Sequence, residues 1–174
     1  MNKGKRKSMR IDKINILRSI LIILLLCTFF IIFGFSSQNG EQSGGISRKI
    51  TEVILEKSNR YNNLKEEEKE PILHRTESII RKMAHFSIYA VIGILLMGLL
   101  CTYKIKNKWK IVITIGIGML YAISDEFHQS FSPGRTPKIT DVYIDTLGVF
   151  LGVLLILLIV KIHDKYIHRK LEHD

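Results

Sequence analysis

The sequence predicts an all-α protein, a polytopic membrane chain of four transmembrane helices with an amphipathic helical insert on the extracytoplasmic side. Three observations carry this. Long apolar blocks alternate with charged ones, so the overall apolar share of 47% hides a strongly segregated pattern. Each block approaches the ~20 residues that a helix needs to cross a bilayer. The positive charge falls on alternate connections. At 174 residues the chain is expected to be one domain, 1–174.

The first span reads from Ile14 to Phe35, with Arg18 near its start, where a long cation can snorkel to the headgroups. A basic n-region precedes it, as in a signal peptide, but the apolar core is long and no A-x-A-like site follows. The span is expected to be retained. Leu26 is too bulky for the L-L-L-C stretch to be a lipoprotein cleavage site. Cys27 and Cys101, each inside an apolar run, read as packing thiols.

Residues 36–82 form the insert. It opens on S-S-Q-N-G-E-Q-S-G-G, which reads as a flexible stretch. Ile46, Ile50, Val53 and Ile54 then recur at helical spacing, giving a helix that lies on the membrane surface or on the bundle. L-K-E-E-E-K-E-P is a solvated charge run with Pro71 as its breaker. A second helix leads through Arg75 to Lys82 into span two, Met83 to Tyr103. Span three follows the interfacial Trp109 and covers 110–131; its strongly apolar part is short, so Asp125 to Phe131 extend the same helix into the interface. Span four covers 142–162, with Thr140 as its N-cap and Asp141 in its first turn. Gly93, Gly98, Gly116, Gly118, Gly148 and Gly152 are small enough to let helices approach closely.

The net charge of +10 would suit nucleic acid, but its placement says otherwise. The N-terminal arm with the start of span one, the Lys104–Lys110 link and the tail from Lys161 onward lie on one side of a four-span chain and hold 15 of the 26 Lys and Arg residues. The positive-inside rule puts both termini in the cytoplasm of a cell membrane. The excess charge is then an orientation signal, and no nucleic-acid partner is expected.

With that topology the polar motifs face outward. In R-K-M-A-H-F-S-I-Y, the residues Arg81, His85 and Tyr89 fall near one helical face. In D-E-F-H-Q-S-F-S-P-G-R-T-P-K-I-T-D-V-Y-I-D, Asp125, His128 and Gln129 share a face and Glu126 lies about 100° around the helix. Ser-Pro-Gly-Arg forms a turn presenting Arg135. Asp145 lies one turn deeper than Asp141, where a charge needs a reason to stay. The plain structural reading is a salt-bridge network of four carboxylates with Lys82, Arg135, Lys138 and the two histidines. That many close carboxylates is excessive for the purpose, because a buried pair only about breaks even.

F-S-S-Q, K-x-A-H-F-x-x-Y, Y-A-x-x-D-E-x-H-Q-x-F-x-P-G-R and D-x-x-x-D-x-x-G, spread over Phe35 to Gly152, resemble the VanZ-like family of small bacterial membrane proteins. The family is named for a protein associated with resistance to the glycopeptide teicoplanin. The resemblance implies a cell-envelope role but supplies no reaction. On matching positions it implies ligand-binding roles for Ser37, Gln38, Lys82, His85, Asp125, Glu126, His128, Gln129, Arg135 and Asp141, and with them Asp145, where similar sequences accept an amide.

Three functions follow as expectations. The first is binding of an envelope lipid or peptidoglycan precursor, with Lys82 and Arg135 receiving a phosphate and the acids meeting amines or hydroxyls. The second is an enzyme acting on a lipid-linked phosphate or glycosyl group by carboxylate and histidine acid–base chemistry or with help from a divalent cation, with Asp125, Glu126 and His128 as candidate catalytic residues. The third is a small proton-coupled transporter using His85 and Asp145. No H-E-x-x-H-type spacing occurs and any ligands must converge from separate helices, so neither a metal nor a cofactor is expected.

Overall fold

The structure is a computed structural model that describes residues 3–37, 40–132 and 137–173. Its regular elements there are all helices: α1 (Lys3–Ser36), α2 (Gly40–Glu56), the single turn α3 (Asn59–Asn62), α4 (Glu66–Cys101), α5 (Asn107–Gln129) and α6 (Ile139–His173). The helices α1, α4, α5 and α6 are long and apolar enough to cross a membrane. The chain is therefore an all-α multi-pass membrane protein, with the four spans where the apolar blocks place them.

Three of these helices overshoot the bilayer. At 1.5 Å per residue, the 36 residues of α4 reach about 54 Å against a hydrocarbon core of about 30 Å. Its first turns stand outside as the last part of the insert, so that part and the second span are one continuous helix. Pro71 lies inside α4 and does not break it. So close to the N-terminus it removes little of the hydrogen-bond ladder. The start is held by Glu66, Glu67 and Glu68 in the first turn and by the Lys65 amide donating to Glu68 Oε2 at 3.2 Å. The stretch read as flexible is also mostly helical, since α2 already begins at Gly40. Extending a formed helix by one residue adds one hydrogen bond without a new nucleus.

The helix α2 packs on α4 through its small polar side. Ser47 and Thr51 are buried, and the Ser47 hydroxyl donates to Glu77 Oε1 at 3.2 Å. Ile50, Val53 and Ile54 stay about half exposed on the other side, as an interfacial helix requires.

Glycine decides how α4 and α6 meet. A Cβ on Gly93 would overlap the Val149 backbone, one on Gly148 the Phe86 carbonyl, and one on Gly152 the Ala90 carbonyl. The two backbones therefore touch directly. A Cβ on Gly118 of α5 would come within 2.6 Å of the Val149 side chain. Gly98 and Gly116 play no such part, because a Cβ there would meet nothing within 4 Å. Tyr89, Ile92, Leu96, Ala122 and Val149 form the centre of the core, joined by Leu25 and Ile32 of α1.

Several local expectations change. Helix α6 begins at Ile139, so Thr140 lies in its first turn and is not the cap; Asp141 is in that turn as predicted. Cys27 is exposed and Cys101 half-buried, so neither is a core thiol. Arg18 does not run free to the headgroups. It donates from Nε to Thr102 Oγ1 at 3.0 Å and from Nη2 to the Thr102 carbonyl at 2.8 Å, and its guanidinium lies 4.0 Å from the Tyr103 ring centroid. It thereby satisfies a carbonyl at the end of α4 that the helix itself leaves open.

Candidate ligand-binding site

The end of α1, the middle of α4, the end of α5 and the start of α6 come together at one end of the bundle. Because α4 and α6 touch backbone to backbone, Lys82 and His85 of α4 are carried against Asp141 and Asp145 of α6. Lys82 Nζ lies 2.7 Å from Asp141 Oδ1, and His85 Nδ1 lies 3.8 Å from Asp145 Oδ2. Asp145 is 3% exposed, the deepest of the acids.

Helix α5 sends its acids in different directions. Asp125, buried, accepts from the Ser36 hydroxyl at the end of α1 through Oδ1, and from Gln129 Nε2 at 3.0 Å through Oδ2. Gln129 Nε2 also lies 3.3 Å from Ser36 Oγ, and Ser132 Oγ donates to the Ser36 carbonyl at 3.2 Å. Glu126, one residue on and also buried, turns toward α6 and accepts the backbone N–H of Lys138 through Oε1. The contact from Lys138 is thus made by its backbone.

A cavity of about 150 Å³ opens among these groups. Arg81, Lys82, His85 and Lys138 line it together with Glu126, Gln129, Asp141 and Asp145. Beside it, between α5 and α6, runs a mainly apolar groove walled by Met119, Ile123, Phe127, Val142 and Tyr143. Glu126 and Lys138 line both spaces, so their contact is the partition between them.

The predicted residues thus divide. Lys82, His85, Asp125, Glu126, Gln129, Asp141 and Asp145 gather at this end of the bundle. His128 points to α1, where its ring stacks on Phe33 at 4.4 Å between centroids, and it does not line the cavity. Ser37 is exposed and its hydroxyl bonds back to the Phe33 carbonyl at 2.7 Å. Gln38 and Arg135 lie outside the described residues.

Two residues of the cluster were not among the predicted ligands. Ser36, fully buried, is the serine of the F-S-S-Q pair that reaches Asp125. Tyr89, also fully buried, stands one turn from His85 with its hydroxyl toward Asp125, yet makes no hydrogen bond of normal geometry. The i, i+4 step from His85 to Tyr89 was the available signal for the second; nothing in the sequence ranks Ser36 above Ser37.

Fold and site together define a small polytopic membrane protein with a buried carboxylate and imidazole cluster at one mouth of its bundle. The VanZ/LLP1 family profile matches residues 21–160. The chain belongs to that family. No curated protein and no solved structure matches it.

Proposed function

We propose that this chain binds an anionic envelope lipid or a lipid-linked peptidoglycan precursor, head in the polar cavity and chain in the apolar groove. The observation that carries this reading is the adjacency of the two spaces across the Glu126–Lys138 partition. A soluble anion has no use for the groove; an amphiphile fits both at once. Lys82, Arg81 and Lys138 supply donors for phosphate, and Asp141 with Glu126 supplies acceptors for amines or hydroxyls. With both termini cytoplasmic by the charge rule, the site faces outward, where such precursors are displayed. Occupancy would reduce the access of a glycopeptide such as teicoplanin to its target.

The test is recovery of lipid with the purified protein, read by mass spectrometry. Lys82→Ala, which weakens the head site, and Val142→Trp, which fills the groove, should each lower phosphorylated lipid about tenfold at equal protein, equivalent to ~1.4 kcal/mol. Equal recovery in both variants and the parent protein rejects the reading.

One observation favours a second reading, an enzyme. Donor atoms of His85, Asp125 and Asp145 lie within 4.8 Å of one another, close enough for acid–base work on a bound phosphate ester. Release of phosphate from a lipid-linked pyrophosphate, lost in Asp145→Asn, would establish it; no turnover by the intact protein would exclude it.

A further inference from the structure

Asp125 and Asp145 are both buried, and neither has a Lys or Arg ion pair among the described residues. Of the cations lining the cavity, Lys82 pairs with Asp141 and Arg81 with Glu77 at 3.0 Å. Two carboxylates this deep are costly without a counter-charge. Asp145 Oδ1 is buried without a hydrogen-bond partner, and so is the hydroxyl of Tyr89, on a side chain with no exposure at all that faces Asp125. His85 closes the third side, and one donor atom from each of His85, Asp125 and Asp145 falls within 4.8 Å of the other two.

We propose that His85, Asp125 and Asp145 bind one divalent transition cation, with Tyr89 at its edge. The inference stands on these side chains alone and does not depend on the lipid reading.

The donor set fits. One imidazole and two carboxylates suit a first-row transition cation such as Mn²⁺ or Zn²⁺ better than Ca²⁺ or Mg²⁺, which prefer oxygen alone. An ion with bonds of about 2.0–2.2 Å draws its ligands slightly inward from this spacing. Asp125 is held as a ligand should be: Ser36 and Gln129 each take one lone pair of its carboxylate and fix its plane, and each oxygen keeps another for the metal. The two carboxylates together match the charge of the ion. The ligands come from α4, α5 and α6, so the ion would tie three spans at one point. The cavity that His85 and Asp145 line gives it an entry path. A bound ion with open positions would also attract any anion entering that cavity.

The test uses the full chain in detergent, stripped with EDTA, desalted and titrated with MnCl₂ while free Mn²⁺ is followed by its paramagnetic resonance signal. The expected result is one saturable Mn²⁺ per chain, displaced by ZnCl₂, with nitrogen coupling from a coordinated imidazole in the spin-echo spectrum. His85→Gln and Asp145→Asn should each weaken binding by about tenfold or more. Glu70→Gln, in the exposed acids of the insert, should leave it unchanged. No saturable binding, no nitrogen coupling, or equal loss in Glu70→Gln would overturn the proposal. The coupling is read on the unmodified protein, so the test holds even where a variant does not accumulate.

Discussion

The two ends of the helical bundle handle buried polarity in opposite ways. At one end Arg18 brings a single charge to neutral partners that need it: the Thr102 hydroxyl, the terminal carbonyl of α4 and the face of Tyr103. Its known contacts are short and serve the fold. At the other end Asp125, Glu126 and Asp145 are all buried, the His85–Asp145 contact is a loose 3.8 Å, and four buried polar atoms, on Arg81, Tyr89, His128 and Asp145, have no hydrogen-bond partner among the described residues. The first arrangement closes a helix. The second holds charge in reserve, which the fold alone has no reason to do. That contrast separates a structural polar contact from a site, although both stand out in the sequence as charges in apolar surroundings.

Between the two ends lies the α4–α6 contact, which brings the acids of α6 against α4 at the second. Gly152→Val forces the backbones apart and should cost about 3 kcal/mol or more, seen as loss of folded protein in detergent-resistant fractions. Asp125→Ala should cost about 2–4 kcal/mol in reversible unfolding, because it strands the Ser36 and Gln129 donors in a buried place. Arg18→Met, at the other end, should cost about 1–2 kcal/mol by leaving the Thr102 carbonyl open. Asp145→Leu should behave oppositely: with chelator present it should raise stability by about 1 kcal/mol, because it removes a buried charge with a loose partner. A loss of 3 kcal/mol there would make Asp145 a structural residue and erase the contrast. Smallest of all, Glu70→Gln breaks only the exposed 3.2 Å pair with Arg48 and should change stability by less than about 0.5 kcal/mol.

Much of this protein was legible in its residues, and the parts that were not share a cause. Hydropathy located the four spans but not the helix ends, because polar turns of a helix carry no hydropathy signal; α4 runs through Pro71 to join insert and span. Periodicity found the helix of the insert, yet it could not tell which side meets α4, and the side that does carries Ser47 and Thr51. Helical spacing grouped Asp125 with both His128 and Gln129. In the fold α1 packs against α5 and divides them: Gln129 goes to Asp125 and Ser36, and His128 to Phe33. Glycine counting named six candidates for close packing, four of which sit where a Cβ meets another helix.

The sequence by itself determined the class of protein, the number of spans and which polar residues a membrane chain would retain only for a purpose. Those properties depend on composition and on spacing along one helix, which are local. Only the tertiary structure decided that Ser36 and not Ser37 holds Asp125, that Tyr89 belongs to the cluster, and that His85 meets Asp145 while His128 stands apart. Those facts depend on the rotation of one helix about its axis relative to another. For α4 and α6 that rotation is set by the backbone contact at Gly93, Gly148 and Gly152, which no single helix can specify alone.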